Sequence, residues 1–368
     1  YVYNWGEYIS DGSDDSVNVN AEFEKWYLET YGKEIKVNYS TYSSNEDMYS
    51  KLSSGAVSYD VVIPSDYMIE RMIKEDMLAE LNMENIPNAQ YIKPEFKGEG
   101  AYYDPDGKFS VPYTYGMVGI IYNKEDVPED EPTLGSWELM WNEKYKGSIL
   151  QFNNSRDAFG TAQYYLGLDI NSEDEATWRK AYDKLSEQKP IVQGYVMDEI
   201  FNKMSSGSAS VAAYYAGDFL SMYENNPDLE FFYPEEGTNI FVDSACILKN
   251  AQNYEAALMF INFLLEPDIA LANAEYIGYA SPNTAVVNNP DYYYYQNDVV
   301  PNGEFNDWTT AQYNNAIKPT GWNVPAPTCS VTSSSRTPFK ANLRSTSIVK
   351  CRPAVGAATE PSILEYTV

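Results

Sequence analysis

Two periods alternate along the chain. Val2-Tyr3-Asn4 reads as a short strand running straight into Trp5, Gly6, Glu7 and Tyr8. Phe23, Trp26, Tyr27 and Tyr31 then share one face at helical spacing, after a cap at Asn18 or Asn20 and before a stop at Gly32. Ile35 to Tyr39 alternates as a strand. Ser44, with Asp47 three residues on, opens a second helix in near capping-box form; Met48 and Leu52 face inward and Gly55 ends it. Tyr59 to Ile63 is apolar enough for a central strand, Pro64-Ser65 breaks it, and Met68, Ile69, Met72 and Ile73 mark a third helix. Strand, helix, strand, helix, strand with long crossovers predicts parallel pairing in a sheet covered on both faces.

Residues 86–110 are rich in Pro, Gly, Asn and Asp and predict a loop region. Met117 to Tyr122 begins a second strand run, followed by strands at Gly147–Phe152, Ile191–Gln193 and Ser210–Tyr215 and helices at 158–166, 173–188, 197–204 and 218–224. Phe241 to Leu248 returns to strand character, and helices follow at 253–264 and 267–276. Three strands are few for a first domain, so a chain that leaves it and re-enters is expected. The expected division is 1–115 with 241–280 as one lobe, 116–240 with 281–318 as the other, and a cleft between. The last segment, 319–368, is atypical: it carries Arg336, Lys340, Arg344, Lys350 and Arg352 against Glu360 and Glu365 and has no clear periodicity. It predicts a poorly structured or altered tail, with a short β-rich appendage as the alternative.

Composition narrows the chemistry. The 368 residues suffice for two domains, net charge is −29, and histidine is absent. A nucleic-acid partner needs clustered Lys and Arg and is not expected. Without histidine, His-based triads and most zinc sites are excluded. The three cysteines, Cys246, Cys329 and Cys351, are too widely spaced for a disulfide framework or a metal motif, although a Cys329–Cys351 bridge stays open. No run approaches the roughly 18 apolar residues of a membrane span. A chain that opens directly on a strand fits a mature exported protein whose leader was removed, and fits a boundary cut equally well. The first eight residues deliver two aromatic faces and a carboxylate at a strand end, where ligands of open α/β sheets sit. That combination suits an organic ammonium.

Several segments together resemble the polyamine-binding (spermidine/putrescine) proteins of ABC importers. They are Tyr3-Asn4-Trp5-Gly6-Glu7-Tyr8, Ser40 to Glu46, Val62 to Tyr67, Tyr145 to Ser148, Val242-Asp243-Ser244, Ile261 to Leu265 and Ile277 to Asn283. The resemblance runs from residue 1 to about 308. It implies a two-lobed α/β fold of the type II periplasmic-binding-protein kind, with parallel-rich sheets and a central cleft. It implies no enzyme activity and no cofactor. A monomer outside the cytoplasmic membrane, lipid-anchored or in the periplasm, would deliver a polyamine to a permease and its ATPase. By the same resemblance Trp5 and Tyr8 border the cleft, Glu7 binds an amine, and Ser65 and Tyr67 contact the ligand from the same lobe. The family's acidic pair falls on Asn154 and Asp157, the first an amide here; its tryptophans fall on Tyr215 and Phe241. Asp243 matches its principal amine-binding aspartate, Tyr279 a lining tyrosine and Asn306 a late glutamine.

A diamine is an apolar rod with a charge at each end. Flat walls from Trp5, Tyr215 and Phe241 suit its methylenes, and carboxylates must replace the hydration its ammonium groups lose. With an amide at 154, putrescine is expected over spermidine. Plainer roles stand beside these: Asp243 as a solvated strand-end acid, Glu7 as a helix cap, Trp5 and Tyr67 as core, Asp157 paired with Arg156 or Lys144, and Tyr214 rather than Tyr215 facing the cleft. Competing functions are a binder of sugars, a tyrosine-rich binder of a metal ion, and a carboxylate glycoside hydrolase. No Gly-Lys-Ser/Thr or Gly-x-Ser-x-Gly stretch occurs.

Overall fold

A computed structural model describes residues 1–289 except 14, 15, 56, 99, 100 and 173, together with residue 292 and two late strands. Its first part runs β1 (Val2–Trp5), α1 (Val19–Tyr31), β2 (Tyr39–Tyr42), α2 (Asn45–Ser53), β3 (Val61–Val62) and α3 (Asp66–Lys74). The caps follow the sequence. Asn18 accepts the Ala21 N–H, Gly32 closes α1 at φ 65°, and Ser44 accepts the Asp47 N–H. The second strand lies further on than the alternation of Ile35 to Tyr39 suggests. Val2 pairs with Tyr39, so the ladder begins only where β1 begins, and Ile35 and Val37 pack against the core without joining the sheet.

The long strand β4 (Ser110–Asn123) carries the chain onward. Asp104 fixes its entry, accepting the N–H groups of Lys108, Phe109 and Ser110 and the Ser110 hydroxyl. Next come β5 (Ile149–Phe152), α4 (Ser155–Tyr165), α5 (Glu175–Gln188), β6 (Val192–Val196), α6 (Glu199–Ser205), β7 (Val211–Tyr215), α7 (Ala216–Asn225) and β8 (Leu229–Phe232). The strand β9 (Ile240–Ile247) returns, followed by α8 (Tyr254–Leu264), α9 (Pro267–Ile277) and α10 (Thr284–Val287).

The sheet order is β2-β1-β3-β9-β4-β7-β5-β6, with β8 also on β4. Pairing is parallel within β2-β1-β3 and within β7-β5-β6, as the crossover helices require. It is antiparallel at β3-β9, β9-β4, β4-β7 and β4-β8. The sheet is therefore mixed, where the first three strands alone predict a parallel one. β4 serves both halves: residues 110–117 pair with β9 and 118–123 with β7 and β8. Its ladder with β9 shifts register between Pro112 and Thr114, at a proline that has no N–H to give.

In the tail, β10 (Thr328–Thr332) pairs antiparallel with β11 (Ile348–Arg352), Cys329 opposite Cys351 in the backbone register. Most of 319–368 and all of 293–318, Asn306 included, lie outside the described residues. Among the described residues no helix is long and apolar enough to cross a membrane.

Candidate functional site

The ends of β1, β3, β7 and β9 and the first turns of α3, α4 and α7 converge on a cavity of about 60 Å³. Ten of the twelve residues singled out in the sequence line it: Trp5, Glu7, Tyr8, Ser65, Tyr67, Asp157, Tyr215, Phe241, Asp243 and Tyr279.

The turn after β1 is built for this. Asn4 accepts the Trp5 N–H and donates to the Tyr8 carbonyl, while Glu7 takes a left-handed φ of 51°. That conformation costs a non-glycine residue roughly 1–2 kcal/mol and brings Trp5 and Tyr8 to the same hollow. The Trp5 indole donates to the Ile63 carbonyl at 2.9 Å. The buried Tyr8 hydroxyl donates to Asp243 Oδ2 at 2.6 Å and meets Thr114 Oγ1 at 2.5 Å. Asp243 Oδ1 is buried and meets no donor among the described residues. Burial pushes the Asp243 carboxyl up to about 6 although the Ser65 and Tyr8 hydroxyls beside it favour its charge.

Tyr279 closes the aromatic wall. Its ring lies edge-on to Tyr8 at 5.2 Å and to Phe241 at 6.0 Å, and Phe241 meets Tyr215 at 5.3 Å. Two glycines make the room. A Cβ on Gly217 would lie 2.5 Å from the Tyr279 ring, and one on Gly116 would lie 2.8 Å from Phe241. The Tyr279 hydroxyl donates to Asp218 Oδ2 at 3.0 Å, and burial raises the Asp218 carboxyl to about 7.

At another side, Asp157 in the first turn of α4 accepts the Tyr215 hydroxyl at 2.6 Å and the Asn239 side-chain N–H at 3.2 Å. Burial again raises its carboxyl. Both Tyr214 and Tyr215 reach the lining. Asn154, expected among the ligand contacts, is not in the lining. It caps α4 by accepting the Arg156 and Asp157 N–H groups and donates to the Tyr215 hydroxyl. Tyr67 donates to Glu46, and Asn45 donates to both Ser65 and Tyr67.

Sequence reasoning missed several lining residues, among them Asp66, Asp198, Asp218 and Asn239. Asp66 is 2% exposed, accepts the Val242 and Tyr67 N–H groups, and is raised to about 7 by burial. The one signal for the three acids was position, at the starts of α3, α6 and α7, each following a strand of the same sheet; Asn239 gave none. Among the described residues six carboxylates line the cavity: Glu7, Asp66, Asp157, Asp198, Asp218 and Asp243. Arg156 is their one lining cation, and its guanidinium is committed to the Ile170 carbonyl and Asn171. An acid-lined, aromatic-walled hollow with an unsatisfied carboxylate oxygen is suited chemically to donors that carry positive charge.

Residues 58–306 match the family described as Bacterial extracellular solute-binding protein. The chain belongs to this family. A spermidine/putrescine-binding periplasmic protein of Salmonella typhimurium is 36% identical over 290 residues, covering 77% of this chain and 78% of that protein. Its namesake from Escherichia coli is 34% identical over 317 residues, covering 83% and 85%. Among solved structures, a putative spermidine/putrescine ABC transporter from Listeria monocytogenes aligns with a TM-score of 0.73 at 35% identity, over 86% of this chain and 91% of that one. The two-lobed α/β class and the polyamine-binding resemblance in the sequence both hold. The family is a solute-binding one, and its relatives here are periplasmic.

Proposed function

We propose that this chain is the capture component of an ABC importer for polyamines, binding putrescine in preference to spermidine. It acts as a monomer outside the cytoplasmic membrane and hands its ligand to a permease and ATPase. Residues 1–115 with 241–280 close against 116–240 around the ligand, and 281–289 go with the first group, since Asn283 donates to the Leu265 carbonyl and Thr284 to the Tyr91 carbonyl. The observation that carries this reading is Asp243 Oδ1, buried in the cavity with no donor among the described residues. The aromatic ring of Trp5, Tyr8, Tyr215, Phe241 and Tyr279 suits the methylenes, and a neutral sugar would leave the carboxylates uncompensated. No catalytic step is involved.

The ranking of amines comes from how the acids are spread. Asp218 accepts from Tyr279 at one side of the cavity, Asp157 accepts from Tyr215 and Asn239 at another, and Asp243 accepts from Tyr8. Glu7 and Asp198 reinforce the Asp218 side, whereas the Asp157 side has Glu46 and, at position 154, an amide spent on a cap. A diamine fills the two charge-rich positions, and a triamine must also use the poorer one.

Calorimetric titration of putrescine and spermidine tests this. The Asp243→Ala variant should stay folded and lose at least about 30-fold in putrescine affinity, the cost of truncating one partner of a buried charge pair being roughly 2–5 kcal/mol. Affinity retained in that variant would contradict the assignment, and a clear spermidine preference in the parent would overturn the ranking.

A further inference from the structure

Asn239 stands just before β9, 5% exposed, and lines the cavity. Its Nδ2 donates to Asp157 Oδ1 at 3.2 Å. Chemistry fixes that orientation. The ionised Asp157 carboxylate can only accept, so beside it a reversed amide would set oxygen against oxygen. The Asn239 Oδ1 is therefore left buried with no donor among the described residues. The neighbouring groups cannot supply one. The Arg156 guanidinium is held by Ile170 and Asn171, and the Tyr215 hydroxyl is given to Asp157. The Asn154 side chain is divided between its cap and Tyr215. That leaves the oxygen open to an N–H that arrives with the ligand.

We infer that Asn239 is a specificity-determining residue: its Oδ1 accepts an N–H from the third nitrogen of a longer polyamine, seated beside Asp157. This rests on the polyamine reading above. A diamine satisfied at Asp243 and Asp218 does not need this position. A triamine, with a nitrogen beyond Asp243, does. Asn239 thus sets how much spermidine the cleft admits, doing with a neutral oxygen what a second carboxylate at 154 would do with a charge.

The test is calorimetry with putrescine and with spermidine on the parent and on Asn239→Leu, with melting curves to check that the variant is folded. Spermidine should weaken about tenfold, the usual worth of a hydrogen bond to a charged group, and putrescine by less than about twofold. Equal losses for both amines, no loss for either, or a parent that binds putrescine but not spermidine would each overturn the inference while leaving the polyamine reading intact. A parent that binds neither amine would instead remove that reading and this one with it. Should the variant fail to fold, a crystal structure of the parent with spermidine decides. A ligand nitrogen within about 3.2 Å of Asn239 Oδ1 is the expected result, and an amide oxygen facing away from every ligand nitrogen is the contrary one.

Discussion

Asp243, Asp218 and Asp66 keep their carboxyls at about 6, about 7 and about 7, each raised first by burial. Carboxyls in an unfolded chain titrate near 4. The empty protein therefore holds protons that the unfolded chain has released, and these groups cost stability progressively as pH rises from about 4 to 7. A bound cation removes that cost by pairing with the ionised forms. The melting-temperature rise given by saturating putrescine should be small at pH 5 and grow to a plateau above about pH 7.5. Equal rises at pH 5 and pH 8 would contradict the arrangement. Glu131 does not cloud this window, because Lys144 and Tyr145 hold it down to about 2. At this scale the sequence was legible where a residue sits inside a contiguous motif. Trp5, Glu7, Tyr8, Ser65, Tyr67 and Asp243 were all found that way. Asp218 and Asn239 were not, because each joins the cavity through partners 61 and 82 positions away.

Among elements, the junction of β7 and α7 leaves no room for a side chain. Tyr279 lies across the backbone at Gly217, and its hydroxyl reaches Asp218 one residue on. Gly217→Ala should displace the ring, cost roughly 1–3 kcal/mol of stability as overpacking does, and weaken putrescine binding by loosening the wall. Melting temperature and titration together check this; an unchanged affinity would mean that the wall at Tyr279 is not used. Helix boundaries were the easiest elements to read, since Asn18, Ser44 and Gly32 act through local hydrogen bonds. Strand extents were harder. Alternation at Ile35 and Val37 reports burial beside the core, while sheet membership depends on where the distant partner Val2 lies.

For the whole molecule, the expectation is closure. The lining acids come from both halves of the sheet, with Glu7 and Asp66 on one and Asp157, Asp198 and Asp218 on the other. Above about pH 7, where these acids ionise, their mutual repulsion is expected to open an empty cleft, and a polycation to close it by its higher affinity for the closed form. Small-angle scattering should record a smaller radius of gyration with putrescine than without; identical curves would argue for a rigid receptacle. The mixed sheet could not be inferred from the first three strands, because β4 and β9 enter it only from Ser110 and Ile240 onward. The register shift at Pro112 and Thr114 falls on that shared pair of strands. Tyr113, inside the shift, donates to the Tyr8 carbonyl, and Thr114 meets the Tyr8 hydroxyl. If the strand flexes on closure, the aim of the ligand's counter-charge moves with it. Straightening that irregularity would alter grip and release together, so the pivot and the latch cannot be tuned apart.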